Sequence, residues 1–122
     1  MKTVKIVAAA TLLAGTAVAA PLASASASFT QCDSGYVCLW GNNDYQWLIQ
    51  ERAGGYNAWY NLSGEANNQM DSWGNRSIRN ARGTDGFNGG GYCQTFAAGS
   101  RDDNVAPYNS DKVSATNSGG GC

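Results

Sequence analysis

The chain has 122 residues, which allows one domain or two very small ones, and 8 basic against 9 acidic side chains give a net charge of −1. A strongly basic surface of the kind that binds nucleic acid or anionic membranes is therefore excluded. Because the chain has no histidine, it also lacks the commonest general base, the commonest zinc ligand and every His-based catalytic triad.

The first 27 residues predict a secretory signal peptide. Lys2 and Lys5 form a positive amino-terminal region, and residues 6–13 are a mostly apolar run too short to span a bilayer. Two Ala-Ser-Ala triplets follow, and we place cleavage after Ala27, with Ala20 as an alternative. A retained membrane anchor is the other interpretation, although no long apolar stretch follows. We therefore expect a secreted, extracellular domain over residues 28–122, without a membrane anchor after processing.

All four cysteines belong to this predicted domain, and small exported domains commonly use disulfides because their cores are modest. Four cysteines allow three pairings. Cys32 and Cys38 bracket a segment in which Gly35 permits a tight bend, so we expect Cys32–Cys38 and, by elimination, Cys93–Cys122. The second bridge would close a loop of about thirty residues, worth ~3 kcal/mol. Zinc is the weaker alternative, because the C-x5-C spacing is loose and no second close pair exists.

Short segments of strand-forming residues alternate with turn clusters along the predicted domain. The strand-like segments are residues 36–40, 45–50, 56–62, 71–73, 77–80, 92–96 and 112–116. The charged segment 101–104 predicts a turn, and the glycines of 117–121 predict flexibility up to the final cysteine. No segment of the domain has a sustained helical period. Five to eight short strands predict an all-β fold, a small antiparallel sandwich or barrel.

Two polar segments resemble one another: NNQMDS at residues 67–72 and SDKVSA at residues 110–115. Both look like the βγ-crystallin calcium motif, N/D-N/D-x-x-S/T-S, which joins the last two strands of a Greek key. Together with CDSGYVCLW at residues 32–40, they make the chain resemble peptidase inhibitor family I36, a group of small secreted bacterial proteins. The resemblance implies a two-Greek-key, βγ-crystallin-like sandwich stabilised by disulfides.

The resemblance also implies a calcium site shared between the two motifs. Asp71 stands where Ser or Thr is expected, and the second motif opens with Ser110 and ends in Ala115. Oxygen ligands of these types suit Ca²⁺. The same residue types commonly satisfy backbone groups in loops, so structural capping is the alternative and no cofactor is required. The candidate ligands are Asn67, Asn68, Asp71, Ser110, Asp111 and Ser114.

Peptidase inhibition is the function that the resemblance implies, since the family includes a metalloproteinase inhibitor. We expect a protein that is monomeric on its own and blocks a secreted metalloprotease by filling its cleft with a loop. In the inhibitor that the chain resembles, the second disulfide closes a short inhibitory loop; Cys93 and Cys122 are too far apart for that loop to be carried over. Residues 41–44, 83–91 and 100–107 are the candidate loops, and the sequence does not choose among them.

Three other functions are weaker predictions. The chain could be a calcium-binding crystallin-like module without inhibitory action. It could also be an antimicrobial toxin or an accessory subunit of a secreted complex that binds an extracellular protein or polysaccharide through Tyr56, Trp59 and Tyr60. Catalysis is not expected. Glycoside hydrolysis needs two carboxylates that flank a sugar, and nothing in the sequence places Glu51, Glu65, Asp102 or Asp103 in such a pair.

Overall fold

The computed structural model describes residues 28–106 and 110–122, so the predicted signal peptide and Pro107 of one candidate loop lie outside the described residues. The described residues form eight strands and four short 3-10 turns, with no α-helix. None of their helical turns has the length and apolar character needed to cross a membrane. The strands are β1 (Tyr36–Asn42), β2 (Gln46–Ala53), β3 (Trp59–Asn61), β4 (Ser72–Asn75), β5 (Ala81–Thr84), β6 (Cys93–Phe96), β7 (Arg101–Asp102) and β8 (Ala115–Asn117).

The strands form two antiparallel sheets that exchange one strand each. The first sheet has the order β2-β1-β4-β7 and the second has the order β3-β8-β5-β6. Strands β1 to β4 make up the first half of the fold and β5 to β8 the second. The third strand of each half therefore pairs in the sheet of the other half. This arrangement is a pair of interlocked Greek keys, which confirms the predicted fold class.

Strand β1 is buried on both faces, because it lies between β2 and β4 and both faces of its sheet are covered. Successive side chains of a strand point to opposite faces. Val37 and Leu39 belong to the core between the sheets, whereas Cys38 and Trp40 belong to a separate outer cluster. The main core consists of Val37, Leu39, Leu62, Met70, Trp73, Ala81, Phe96, Val105 and Val113.

The outer cluster attaches residues 28–32 to the first sheet. The Trp40 ring lies 5.9 Å from the Phe29 ring and 5.0 Å from the Tyr45 ring, measured between centroids. The Trp40 indole N–H donates to Oε1 of Gln31 at 2.8 Å, so its polar atom is satisfied. The buried Cys32–Cys38 disulfide closes the same cluster.

The second disulfide joins Cys93 to Cys122, so both bridges have the pairing expected from the sequence. The predicted flexibility of residues 117–121 is wrong. Asn117 belongs to β8 and is buried, and Nη1 of Arg82 donates to the carbonyl oxygens of Gly120 and Gly121 at 3.2 and 3.0 Å. The carboxyl-terminal segment is therefore part of the packed structure.

Two further expectations about strands are wrong. Residues 77–80 form the connection between β4 and β5 rather than a strand, and Ile78 is 96% exposed there. Arg101 and Asp102, expected in a turn, form β7 and pair with β4. The second outcome does not follow from local preference, because β7 forms through its pairing with β4, a strand of the other half.

Gly74 allows Phe29 to pack flat on β4, since a Cβ at this position would lie 2.1 Å from Cε1 of Phe29. We expect Gly74→Ala to lower the free energy of unfolding by about 1–3 kcal/mol, because the ring must leave its position in the outer cluster. Gly90→Ala is the control, as its Cβ would have no neighbour closer than 3.4 Å. Urea denaturation measures both changes, and equal stabilities of the two variants would contradict this account of the packing.

Candidate functional site

The two polar motifs lie in equivalent loops of the two halves. Residues 67–71 precede β4, and residues 110–114 precede β8. Each loop therefore follows a strand that has crossed to the other sheet and leads the chain back to its own sheet. This topology places the two loops at the same end of the sandwich.

The backbones of the two loops hydrogen bond reciprocally. The N–H of Asn68 donates to the carbonyl oxygen of Val113 at 3.0 Å, and the N–H of Asp111 donates to that of Met70 at 3.1 Å. Asn68 and Asp111 occupy the second position of their motifs, and both adopt left-handed backbone conformations, with φ of 60° and 59°. Asn and Asp tolerate this conformation better than other non-glycine residues. The motif residues thus form a two-fold arrangement in the backbone.

Side chains also connect the two loops. The Ser114 hydroxyl donates to Oδ1 of Asn68 at 2.8 Å, and the Ser110 hydroxyl donates to the Asp71 carboxylate. Partial desolvation raises the pKa of the Asp111 carboxyl above its ordinary value. Repulsion from Asp71 and a hydrogen bond with Asp71 are smaller causes in the same direction. The structure therefore brings Asn68, Asp71, Ser110, Asp111 and Ser114 together in one cluster.

Asn67 differs from the other five candidates. Its backbone N–H donates to the carbonyl oxygen of Gly64 at 3.3 Å. Its Oδ1 is buried and has no hydrogen-bond partner among the described residues. An unpaired buried amide oxygen is unusual in a folded protein and is available as an acceptor or a ligand.

The donor set of this cluster fits a hard cation such as Ca²⁺, because every candidate atom is a carboxylate, amide or hydroxyl oxygen. The hydrogen bonds of Ser110 and Ser114 also show the capping role that the sequence left open. A second group of metal-ligating residue types, Cys32, Cys38 and Glu51, does not fit a metal, because both sulfur atoms are in a disulfide and carry no thiolate.

The candidate inhibitory loops lie largely at the same end as the twin motifs. Residues 41–44 follow the end of β1, and the N–H of Asp44 donates to the carbonyl oxygen of Asp103 at 2.9 Å. In the segment 83–91, the N–H of Gly86 donates to the carbonyl oxygen of Gly90 at 2.8 Å, which closes a tight turn. Phe87 of this turn is 53% exposed.

One exposed loop was missed by the sequence analysis. Residues 76–80 connect the two halves and lie at the opposite end of β4 from the twin motifs. The sequence predicts a strand over residues 77–80 of this segment, where Ile78 is the only apolar residue. The pair Asn75 and Ser77, both of types that hydrogen bond to nearby backbone, was the signal for a turn.

Tyr56, Trp59 and Tyr60 do not form one flat binding surface. Trp59 and Tyr60 are consecutive in β3 and point to opposite faces. The Arg82 guanidinium carbon lies 5.0 Å from the Trp59 ring centroid, and that of Arg52 lies 4.1 Å from the Tyr60 ring centroid. Both half-buried rings therefore already have partners, and only Tyr56 is well exposed.

Comparison with known proteins identifies both the family and the fold. The model of peptidase inhibitor family I36 matches residues 25–96, which is more than half of the chain. The crystal structure of the N-terminal domain of protein S, a βγ-crystallin-like domain, is similar with a TM-score of 0.51 and 18% sequence identity. This similarity covers 67% of the present chain and 92% of that domain. No curated protein sequence matches significantly.

We expect Ser114→Ala to destabilise the protein by about 0.5–1.5 kcal/mol, because it removes the hydrogen bond from the Ser114 hydroxyl to the amide oxygen of Asn68, one of the links between the two loops. Ser63→Ala is the matched control, since Ser63 is exposed and its side chain makes no capping hydrogen bond. Chemical denaturation in the presence of EDTA measures both. Equal losses in the two variants would show that the hydrogen bond between the loops contributes nothing.

Proposed function

Because the chain belongs to peptidase inhibitor family I36, we propose that it is a secreted inhibitor of metalloproteases that acts by placing a surface loop in the catalytic cleft. The family match is the observation that carries the proposal. It supports peptidase inhibition and a protease partner. The metalloprotease target, the loop mechanism and secretion are the further parts of the proposal.

The scaffold suits inhibition by a preformed loop. A loop that is already ordered loses little conformational entropy when it docks, so more of the contact energy contributes to affinity. Here the Cys32–Cys38 disulfide is attached to β1 of the first sheet, and the Cys93–Cys122 disulfide is attached to β6 of the second sheet. Backbone hydrogen bonds also hold the connections between the strands. These features are also useful in a protein that must resist digestion by its own target.

Glu51 and Asp102, two of the four carboxylates considered for glycoside hydrolysis, do not have the placement of a glycosidase pair. Glu51 lies on β2 and Asp102 on β7, which are the two edges of the first sheet. Three strand spacings separate these strands by roughly 14 Å. Glycosidases hold their two carboxyl groups about 5–9.5 Å apart. Both carboxylates accept backbone hydrogen bonds instead, from Asp33 and Asn104 at 3.0 Å each.

Calcium binding at the twin motifs is the second candidate function. The observation that favours it is the buried Oδ1 of Asn67, which has no hydrogen-bond partner among the described residues. Burial, and then repulsion from and hydrogen bonding with Asp71, also raise the pKa of the Asp111 carboxyl. A divalent cation would relieve this repulsion. The two carboxylates would supply charge, and Asn67, Asn68, Ser110 and Ser114 would supply neutral oxygen atoms.

If the twin motifs bind calcium, millimolar Ca²⁺ should raise the melting temperature, because a ligand that binds only the folded state stabilises it. Asp111→Asn should remove this increase by removing one of the two charges. Asp33→Asn should keep it, since Asp33 is near residues 76–80 at the other end of the sandwich. Calorimetry with Ca²⁺ and with EDTA makes the comparison. A wild-type melting temperature that does not respond to Ca²⁺ would refute the site.

The purified domain, residues 28–122, should inhibit at least one zinc protease such as thermolysin in a peptide-hydrolysis assay. The same protein after reduction and alkylation should be digested without inhibiting, because its loops are no longer held. Serine and cysteine proteases in the same panel test the metalloprotease assignment. Unchanged hydrolysis by every protease at micromolar excess of the folded protein would overturn the proposed function.

A further inference from the structure

The most exposed large apolar side chain of the described residues is Ile78, which is 96% accessible to solvent. It lies near the middle of the connection 76–80 between the two halves. Trp47, Tyr56, Phe87 and Tyr92 are 43%, 61%, 53% and 61% exposed, so each retains more contact with the fold. Ile78 also has no polar atom in its side chain to favour exposure. A fully exposed aliphatic side chain gains free energy when a partner buries it.

The backbone before Ile78 is held firmly. The N–H of Arg76 donates to the carbonyl oxygen of Tyr36 at 2.8 Å, and the carbonyl oxygen of Arg76 accepts from the N–H of Gly35 at 2.9 Å. The Ser77 N–H donates to Oδ1 of Asn75 at 2.9 Å. Asn75 and Ser77 are both buried, which protects these hydrogen bonds from water.

The backbone after Ile78 is held by the same two side chains. Nδ2 of Asn75 donates to the carbonyl oxygen of Arg79 at 2.8 Å. The Ser77 hydroxyl lies 2.9 Å from that oxygen and accepts from the N–H of Arg79 at 3.3 Å. Among the described residues, the backbone of Ile78 itself has no hydrogen-bond partner. Within the part of the chain that the structure describes, the loop therefore has an unpaired N–H and an unpaired carbonyl group between two hydrogen-bonded neighbours.

Gly54 lies directly against Ser77 of this loop. A Cβ at Gly54 would lie 2.3 Å from Cβ of Ser77, so the two residues are in direct van der Waals contact. The Gly54 N–H donates to the carbonyl oxygen of Gly35 at 2.9 Å, which joins three loops at this end of the sandwich. A shallow groove beside Ile78 is lined by these glycines and by Arg79. The small residues leave room for a partner to approach.

Positive charge surrounds the same position. Arg76 and Arg79 flank Ile78 and are exposed. Arg101 lies near Arg76, since their guanidinium carbons are 4.5 and 6.0 Å from the centroid of the same Phe29 ring. These are three of the six basic side chains in residues 28–122, in a chain whose overall charge is slightly negative. The matching surface on a partner is an apolar pocket with an acidic rim.

We propose that residues 76–80 are the inhibitory loop and that the Ile78 side chain is its anchor, which fills the apolar specificity pocket of the target protease. This inference rests on the proposed function and identifies the loop that performs it. The backbone N–H and carbonyl group of Ile78, at the bend of the loop, hydrogen bond to groups that line the cleft. Arg79 contacts acidic side chains at the rim of the pocket, and Arg76, whose Nη1 donates to the carbonyl oxygen of Cys32, adds positive charge nearby.

The test compares inhibition constants of three proteins against the protease that the wild type inhibits. Ile78→Ala should raise the inhibition constant at least about 30-fold, as expected for truncation of a central anchor. Tyr92→Ala removes an exposed aromatic from the β5–β6 connection at the other end, and should change the constant less than about 5-fold. Both variants should keep the wild-type melting temperature, because both side chains are largely exposed.

Two additional variants separate the anchor from its support. Ile78→Val should weaken inhibition by about 10-fold and less than Ile78→Ala does, because it keeps a branched apolar side chain and loses one methylene. Gly54→Ala should weaken inhibition while Ile78 is intact, because the added methyl group displaces Ser77. The association rate of the wild type should fall as salt concentration rises, and a rate independent of salt would overturn the acidic-rim assignment.

Each result of these inhibition measurements leads to a different conclusion. Inhibition that Ile78→Ala leaves unchanged would overturn the loop assignment and leave the proposed function intact. Loss of inhibition in Tyr92→Ala alone would transfer the contact to the β5–β6 connection and likewise overturn it. A wild-type protein that inhibits no protease of the panel would overturn the proposed function and this inference together.

Discussion

Exchange of the third strands is the constraint on which the structure depends. β3 and β7 have three and two residues, and each forms hydrogen bonds with one neighbouring strand that belongs to the opposite half. Strands this short are not stable alone. Each half therefore completes its sheet only when the other half is folded. The reciprocal hydrogen bonds between the two motif loops hold the chain just before it enters β4 and β8, the strands that follow the exchanged strands.

Asn75 has the corresponding role at the opposite end. It is fully buried at the end of β4, and Nδ2 donates both to Arg79 in the connection and to the carbonyl oxygen of Phe96 in β6, at 2.8 Å each. One amide group thus joins the first sheet, the connection and the second sheet. A buried polar group with all its hydrogen bonds made contributes specificity, because every alternative arrangement leaves it unsatisfied. The conformation of the connection is therefore set by Asn75 and Ser77, not by Ile78.

This division explains which features the sequence could predict. The β1 sequence YVCLWGN is dominated by strand formers and the disulfides require only proximity, so both were accessible to local reasoning. The pairing of Arg101 and Asp102 with β4 was not accessible to local reasoning, because neither residue favours a strand and the partner strand is distant in sequence. The segment around Ile78 was difficult to predict for a related reason. An apolar residue between polar ones fits a half-buried strand, and the turn-forming types of Asn75 and Ser77 are a weaker signal than the buried contacts that they make in the structure.

The same arrangement is consistent with a binding loop that survives contact with a protease. Cleavage of a folded protein requires local opening of the chain around the scissile bond. Residues on both sides of Ile78 are hydrogen bonded to buried groups, so local opening must also break the contacts of Asn75 with both sheets. The carboxyl terminus is protected separately by Arg82 and the Cys93–Cys122 disulfide. The buried amide of Asn75 thus explains both why the neighbours of Ile78 are held in place and why the Ile78 side chain is exposed. The fold itself does not require isoleucine at position 78.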